Sequence, residues 1–264
     1  PCDCSKDPDC RRMRAHEAIL VALCLLPALA YAEPLASGST FLSDNLRARQ
    51  ADDGANPGML WVDEGRRLWR EKRGLSDRAC ASCHGATASS MRDVATRYPL
   101  VDESGRLLNL EARINVCRTT KQQADALAYE SEELLSLTAF IAYQSRGLPM
   151  RVATGGTAQP YLKRGEAFFN RRQGQLNLSC ANCHVDHVGK RLRGDIISHG
   201  LANGYPAYRI EWQSIGSLHR RLRACSFGVR AIRFDYGSPE YLELELYLAA
   251  RANGVKVETP AIRR

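Results

Sequence analysis

Two copies of the pattern C-x-x-C-H constrain this chain more than any other feature of its sequence. The pattern is typical of c-type haem attachment, in which two thiols bond one porphyrin and the adjacent histidine ligates the iron. A redox C-x-x-C pair does not require a following histidine, and a zinc site normally combines cysteine pairs that are closer in sequence. The sequence therefore predicts two covalently bound c-type haems. The motif residues are Cys80, Cys83, His84, Cys180, Cys183 and His184.

The N-terminal residues carry the pattern of an export signal. Basic residues precede an apolar run at 18–30, and the run ends in Ala30-Tyr31-Ala32. This order is typical of a secretory signal peptide. We expect residues 1–32 to be upstream residues and signal peptide, with cleavage after Ala32 and export to the periplasm. The run is too short to span a bilayer and no other apolar run approaches that length, so no membrane span is expected.

The two motifs belong to an internal repeat. Gly65 and Gly165 each stand fifteen residues before their motif, and each opens a segment that we predict to start a short helix carrying an aromatic residue. Downstream, Ser131 and Ser238 each precede acidic and apolar residues at helical spacing, as N-caps do. The chain is therefore predicted to be mainly α, with two tandem cytochrome c-like domains related by internal duplication. The predicted bounds are an N-terminal extension at 33–64, domain 1 at 65–150, a linker at 151–160 and domain 2 at 161–264.

The sequence offers no suitably placed methionine as the second ligand of either haem iron. No methionine follows His184, Met91 is close to the first motif, and Met150 follows the last helix of domain 1. Each repeat does contain one further cysteine before its C-terminal helix, Cys117 in the first and Cys225 in the second. Matching positions predict thiolate haem ligands, and a Cys117–Cys225 disulfide is the alternative in an oxidising compartment. The other candidate ligands in domain 2 are His187, His199, His219, Lys190 and Lys256.

The formal net charge of +8 is carried mostly by arginine. Such an excess is compatible with nucleic acid, a small anion or an acidic protein as partner, and it also follows from genome composition alone. Arginines around a thiol lower its pKa and suit forked recognition of an oxyanion, whereas a helix with a solvated basic face is the plain alternative. We expect an anion and protein partners, and no nucleic acid. Five arginines flank Cys225: Arg220, Arg221, Arg223, Arg230 and Arg233.

These features together resemble the SoxA family, the dihaem subunits of SoxXA cytochrome complexes in periplasmic thiosulfate oxidation. Besides both motifs, the similarity rests on G-Y-P-A-Y-R at 204–209, the arginine-rich stretch around Cys225 and S-P-E-Y at 238–241. It implies L-cysteine S-thiosulfotransferase activity, in which thiosulfate is oxidatively joined to a cysteine of the SoxYZ carrier protein and electrons pass to a c-type cytochrome. It also implies a heterodimer with a SoxX-type monohaem cytochrome c subunit.

The same resemblance assigns roles to residues. It implies that His184 and Cys225 ligate the active-site haem and that many members carry a persulfide on this cysteine. His84 and Cys117 match the ligands of the other haem, and Arg221 matches the active-site arginine, so Cys225 and Arg221 are the expected catalytic residues. The sequence is compatible with two routes. Thiosulfate either forms a transient conjugate on Cys225 or is joined directly to the carrier thiol. A dihaem electron carrier without a catalytic role is the alternative function, and a dihaem peroxidase is disfavoured by the matched cysteines.

Overall fold

Helices are the main secondary structure in the computed structural model, which describes residues 35–86 and 89–264. Residues 35–264 form one unit. The α-helices are α1 Asp44–Ala51, α2 Met59–Arg70, α3 Ala81–His84, α4 Leu110–Cys117, α5 Glu132–Tyr143, α6 Gln159–Asn170, α7 Cys180–His184, α8 Leu218–Gly228 and α9 Pro239–Arg251. Short 3-10 turns lie at Gly38–Phe41, Ser89–Met91, Val94–Arg97 and Gly156–Ala158, and a π-helix lies at Arg118–Gln122.

Each half of the chain is built on one pair of crossing helices, α2 with α5 and α6 with α9. Gly65 lies in the middle of α2, where a Cβ would stand 2.1 Å from the carbonyl oxygen of Ser136 on α5. Gly165 lies at the same point of α6, where a Cβ would stand 2.0 Å from the carbonyl oxygen of Glu243 on α9. The prediction that these glycines begin helices is therefore wrong, because each glycine instead lets two helix backbones touch at the crossing.

The two C-terminal helices begin where the sequence predicts. The Ser131 hydroxyl accepts from the Leu134 amide at 3.3 Å, and the Ser238 hydroxyl accepts from the Tyr241 amide at 3.4 Å. Both serines thereby satisfy an amide that has no partner within its helix, so both predicted N-caps are confirmed.

A small mixed sheet in domain 2 includes the C-terminal strand of the chain. The strands are β1 Leu100–Val101, β2 Leu107–Leu108, β3 Arg191–Leu192, β4 Asp195–Ile196, β5 Ala207–Arg209, β6 Ser214–Gly216 and β7 Ala261–Arg263. Strand β5 pairs antiparallel with β6 and parallel with β7, while β1–β2 and β3–β4 are separate hairpins. The two halves share packing, because Ile215 of β6 lies in the core of domain 1 and Leu107 of β2 lies in the core of domain 2.

The segment predicted as an N-terminal extension packs against the C-terminal strand. The Gln50 side chain accepts from the Ile262 amide at 2.9 Å, and the Asn56 side chain donates to the carbonyl of Pro260 at 2.8 Å. The segment predicted as a linker, 151–160, contains a 3-10 turn, and α6 begins within it at Gln159. The segment before domain 1 is thus tied to the end of domain 2 by hydrogen bonds.

The two repeats differ by one residue in the spacing between the distal cysteine and the next helix: Cys117 lies fourteen residues before Ser131, and Cys225 lies thirteen before Ser238. The structure shows where the extra residue is accommodated. Cys117 follows the N-cap Asn109 of α4 by eight residues, and Cys225 follows the N-cap Ser217 of α8 by the same number. The loops then pack in the same way, with Gly74 against the carbonyl of Gln122 and Gly174 against that of Val229. Cys117 is five residues from its loop contact and Cys225 only four, and the π-helix at Arg118–Gln122 takes up the extra residue.

None of the helices within residues 35–86 and 89–264 is long and apolar enough to cross a membrane. The predicted signal peptide and its cleavage site lie outside the described residues.

Candidate functional site

Domain 2 presents its C-x-x-C-H motif on the short helix α7, whose first turn is fixed by a capping box between Ser179 and Asn182. At its end, His184 Nδ1 donates to the backbone carbonyl of Ser198 at 2.7 Å. Gly200, at φ +68°, lies against the ring, since a Cβ there would stand 2.8 Å from His184 Cγ. The imidazole is therefore held from one side, and Nε2 is the nitrogen left to bind an iron.

The thiol of Cys225 on α8 lies within hydrogen-bonding reach of the His184 side chain. Burial raises the pKa of this thiol, but the positive charge of Arg221, a hydrogen bond and charge interaction with His184, and the charge of Arg209 together lower the pKa to about 7. A thiol with a pKa of about 7 is about half thiolate at neutral pH, far more than an ordinary cysteine. Thiolate and imidazole are the kinds of donor that hold haem iron.

The two attachment thiols of domain 2 behave differently from Cys225. Burial, reinforced by the charge of Cys225, raises the pKa of Cys180 to about 12. The same two causes raise the pKa of Cys183. Because both pKa shifts involve the charge of Cys225, the structure brings this cysteine and both motif cysteines to one place. The opposite shift of Cys225 follows from its arginine neighbours.

Two arginines from different elements flank Cys225. Arg209 ends β5, its side chain is only 5% exposed, and its Nε donates to Glu211 Oε1 at 3.0 Å. Arg221 lies one turn before Cys225 on α8, and about a third of its side chain (35%) is exposed. The charge of Cys225 is the largest cause raising the pKa of Arg221. A buried and a partly exposed guanidinium beside one sulfur form a pocket of positive charge that suits a small dianion.

Four of the five neighbouring arginines make their contacts away from Cys225, two of them on α8 and two after its end at Gly228. Arg220 lies over the Trp212 ring at 4.2 Å, and Arg223 donates to the carbonyl of Phe234. Arg230 donates to the Gln175 side chain at 3.4 Å, and Arg233 lies over the Phe227 ring at 5.8 Å. Arg221 is the member of the set that faces the sulfur.

Arg209 and Glu211 were not singled out from the sequence as site residues. The available signal was the segment at 204–209, which resembles the SoxA family and ends in Arg209. The antiparallel pairing of β5 with β6, which leads directly into α8, brings this segment close to that helix.

Domain 1 repeats the arrangement in part. The His84 ring lies 5.7 Å from the Trp69 ring, and Cys117 ends α4. Burial raises the pKa of Cys80, the charge of Arg118 opposes this, and the charge of Cys117 adds to it. Cys117 is therefore close to the first motif, as Cys225 is to the second.

The other candidate ligands of domain 2 lie elsewhere. His219 accepts from the Gly237 amide through Nδ1 at 3.0 Å and faces Glu245 through Nε2 at 2.9 Å, stacked on Tyr129. His199 packs edge-on against Phe41. The remaining candidates His187, Lys190 and Lys256 are exposed.

The described residues show neither the disulfide that is the alternative to thiolate ligation nor the zinc site that is an alternative to haem attachment. None of the six cysteines there forms a disulfide, including Cys117 and Cys225, which lie beside different motifs. No group of three or more His, Cys, Asp or Glu side chains in the described residues has the arrangement of a metal-ion site. Met150 is buried in the core of domain 2 and Met91 packs against that of domain 1.

The donor sets suit c-type haem. Each motif supplies two free thiols and a histidine, and each has a further thiol nearby. In domain 2, the fixed His184 ring and the thiol near it have the chemistry of a His–Cys axial pair.

Comparisons with known proteins agree with this arrangement. The family model described as SoxA/TsdA, cytochrome c domain, matches residues 64–150 and 164–257. The L-cysteine S-thiosulfotransferase subunit SoxA of Rhodovulum sulfidophilum is 39% identical over 232 residues, which cover 88% of this chain and 81% of the relative. The subunit of the same name from Paracoccus pantotrophus is 36% identical over 228 residues, covering 86% and 78%.

The fold agrees as well. The crystal structure of SoxXA from P. pantotrophus matches with a TM-score of 0.84 and 36% identity, covering 87% of each chain. The predicted resemblance and the predicted pair of tandem cytochrome c-like domains are confirmed.

Proposed function

The chain belongs to the SoxA/TsdA family of cytochromes c, and we propose that it is the SoxA-type subunit of an L-cysteine S-thiosulfotransferase. In this function, thiosulfate is oxidatively joined to a cysteine of a SoxYZ-type carrier protein, and the electrons pass to a c-type cytochrome. The relatives that bear this name cover most of the chain.

The observation that carries the proposal is the surroundings of Cys225. One sulfur, near His184, is flanked by Arg209 and by the partly exposed Arg221. A cytochrome that only carries electrons has no need of a dianion pocket beside an axial ligand. An enzyme that orients thiosulfate needs this arrangement.

The reaction forms one sulfur–sulfur bond and releases two electrons. The thiol of the carrier cysteine loses its proton, its sulfur bonds to the terminal sulfur of thiosulfate, and the product is a carrier S-thiosulfonate. One proton and two electrons leave for each conjugate formed. Haem, when bound, supplies the one-electron acceptor through which these electrons pass to the c-type cytochrome.

The chain's own residues bind and orient in this scheme. Arg221 donates forked hydrogen bonds to the sulfonate oxygens of thiosulfate, and the buried Arg209 adds a second positive charge to the pocket. Cys225, kept in its thiolate form by these arginines, places a polarizable sulfur beside the bound anion. His184, fixed through the carbonyl of Ser198, would supply an imidazole nitrogen to the haem iron.

Three further features belong to the same proposal. The chain carries two covalent haems, at Cys80, Cys83 and His84 and at Cys180, Cys183 and His184, with Cys117 and Cys225 as distal ligands. It forms a heterodimer with a SoxX-type monohaem cytochrome c subunit, a proposal supported by the match to SoxXA. It functions in the periplasm after removal of residues 1–32.

The test is the rate at which thiosulfate is conjugated to the carrier cysteine, measured by mass spectrometry of the carrier at thiosulfate concentrations below saturation. Arg221→Ala in the haem-loaded heterodimer should slow conjugation strongly and leave haem content intact, because Arg221 binds the anion and not the iron. Arg233→Ala removes an exposed arginine near the same helix and should conjugate at the wild-type rate. Equal rates for Arg221→Ala and the wild type would refute the anion site.

A further inference from the structure

An acidic side chain, Glu211, stands between the two arginines of the site. Its Oε1 accepts from Arg209 Nε at 3.0 Å and lies 3.9 Å from Arg221 Nη1. A single carboxylate oxygen therefore faces both positive charges. A carboxylate inside an anion pocket opposes binding of a dianion by like-charge repulsion.

The position of Glu211 is fixed by the hairpin between β5 and β6. The Trp212 amide donates to the carbonyl of Arg209 at 3.0 Å, and the Gln213 amide donates to that of Ile210 at 3.4 Å. The Trp212 ring lies under the guanidinium of Arg209 at 5.1 Å. A tight turn with an aromatic anchor holds the carboxylate toward the site.

The two contacts of Glu211 differ in kind. The contact with the buried Arg209 is a hydrogen bond, and it sets the orientation of that guanidinium. The contact with Arg221 is too long for a hydrogen bond, so the donors of Arg221 stay available to a ligand while its positive charge is partly cancelled.

We propose that Glu211 sets the affinity of this site for thiosulfate by orienting Arg209 and attenuating the charge of the Arg209–Arg221 pair. Glu211 is thus a positioning and affinity-setting residue that the sequence did not single out. The inference rests on the proposed function, because it takes thiosulfate as the anion bound at Arg221.

This role has a kinetic signature. Charge attenuation acts equally on the bound substrate and on the transition state, since the sulfonate is negative in both. Removing the negative charge of Glu211 therefore tightens thiosulfate binding without speeding the chemical step, so KM decreases while kcat is unchanged. A residue with only a structural role would instead raise KM or lower kcat when replaced.

The test is Glu211→Gln in the haem-loaded heterodimer. The amide oxygen still accepts from Arg209 Nε, whereas the negative charge is gone. KM for thiosulfate should fall roughly fivefold, as expected for one screened charge at several ångströms, with kcat within about twofold of the wild type. Calorimetric titration with thiosulfate, without the carrier protein and therefore without turnover, should show the same gain in affinity.

The matched control is Asp235→Asn. Asp235 lies 4.0 Å from Arg223, which is on the same helix as Arg221, so this change removes an equal charge at a similar distance from an arginine outside the pocket. It should leave KM and the calorimetric affinity unchanged. An equal gain in Asp235→Asn, or an unchanged or raised KM in Glu211→Gln, would overturn the role of Glu211.

The two proposals fail separately. If Arg221→Ala abolishes conjugation while Glu211→Gln leaves KM unchanged, the anion site stands and the role of Glu211 is rejected. If Arg221→Ala leaves conjugation unchanged, the anion site itself is rejected, and the role of Glu211 is rejected with it.

Discussion

Gly65 touches Ser136 through the backbone, so closely that any side chain on the glycine would collide with the carbonyl oxygen of the serine at 2.1 Å. The same contact recurs between Gly165 and Glu243 in the second half of the chain. These two contacts set how closely the paired helices approach, and the helices in turn carry the large aromatic side chains Trp69 and Phe169 of each core.

Replacing Gly65 or Gly165 by alanine should therefore destabilise the protein by about 3 kcal/mol, the upper range for overpacking, because the obstructing atom is backbone that has little room to move. Chemical denaturation monitored by circular dichroism measures the change. Gly155→Ala is the control, since nothing lies within 4 Å of a Cβ at that position and its φ is negative. Wild-type stability in both crossing variants would contradict the packing argument.

Each C-x-x-C-H motif should hold its own haem. Replacing Cys80 and Cys83 together by alanine should remove one haem from the exported protein, and the same change at Cys180 and Cys183 should remove the other, because each porphyrin needs both thiols of its motif. Intact mass of periplasmic protein counts the haems directly. A wild-type mass with fewer than two haems would refute the dihaem assignment.

The two distal cysteines should differ in function. Cys225→Ser should abolish conjugation of thiosulfate and alter the spectrum of the domain 2 haem, because a hydroxyl supplies neither a soft ligand nor a polarizable sulfur beside Arg221. Cys117→Ser should perturb the domain 1 haem while much of the activity remains, and it serves as the matched control. Full activity of Cys225→Ser would exclude sulfur-transfer chemistry at this residue and favour a plain electron carrier.

Stability should depend on pH through Glu111, which is buried where α4 meets domain 2. Burial, followed by the negative charge of Glu245, raises the pKa of Glu111 from its ordinary value of 4.5 to about 8. Glu245 is in turn held by the Asn109 side chain at 3.1 Å and by His219 at 2.9 Å. At neutral pH the folded state therefore keeps a proton on Glu111 that the unfolded chain has lost.

The free energy of unfolding should consequently fall as pH rises from about 4.5 to about 8, by up to about 1.4 kcal/mol for each pH unit, because the folded state binds the extra proton. Above that window this contribution is lost and the slope from Glu111 vanishes. Glu111→Gln mimics the neutral form and should flatten the slope, as measured by denaturant unfolding across this pH range. Glu103→Gln, an exposed control, should retain it. Identical slopes in the wild type and Glu111→Gln would contradict the assignment.

The sequence by itself determined whatever depends on neighbours along the chain. The spacing within C-x-x-C-H decides which thiols and histidine share a haem, and Ser131 and Ser238 cap their helices through amides three residues away. Comparison of the two repeats revealed Cys117 and Cys225, because duplicated positions keep their spacing from local elements. These features needed no knowledge of long-range contacts.

Only the tertiary structure decided which distant residues meet. Gly65 and Gly165 were predicted at helix starts, and the opposing helices show that they mark crossings. His219 was one candidate ligand among several until its contacts with Gly237 and Glu245 accounted for both ring nitrogens. The physical reason is that side-chain chemistry can be read along the chain, whereas proximity across a fold follows from helix and strand packing.

The arginines near Cys225 illustrate the same division. Their number in the sequence indicated an anion pocket, but the helical rotation of α8 leaves Arg221 facing the sulfur and turns Arg220 toward Trp212. Arg209 and Glu211 complete the pocket from β5 and the turn after it, and the antiparallel pairing of β5 with β6 places them beside α8, which follows β6 directly. The sequence determined that the site is basic, and the packing of strand against helix decided which charges form it.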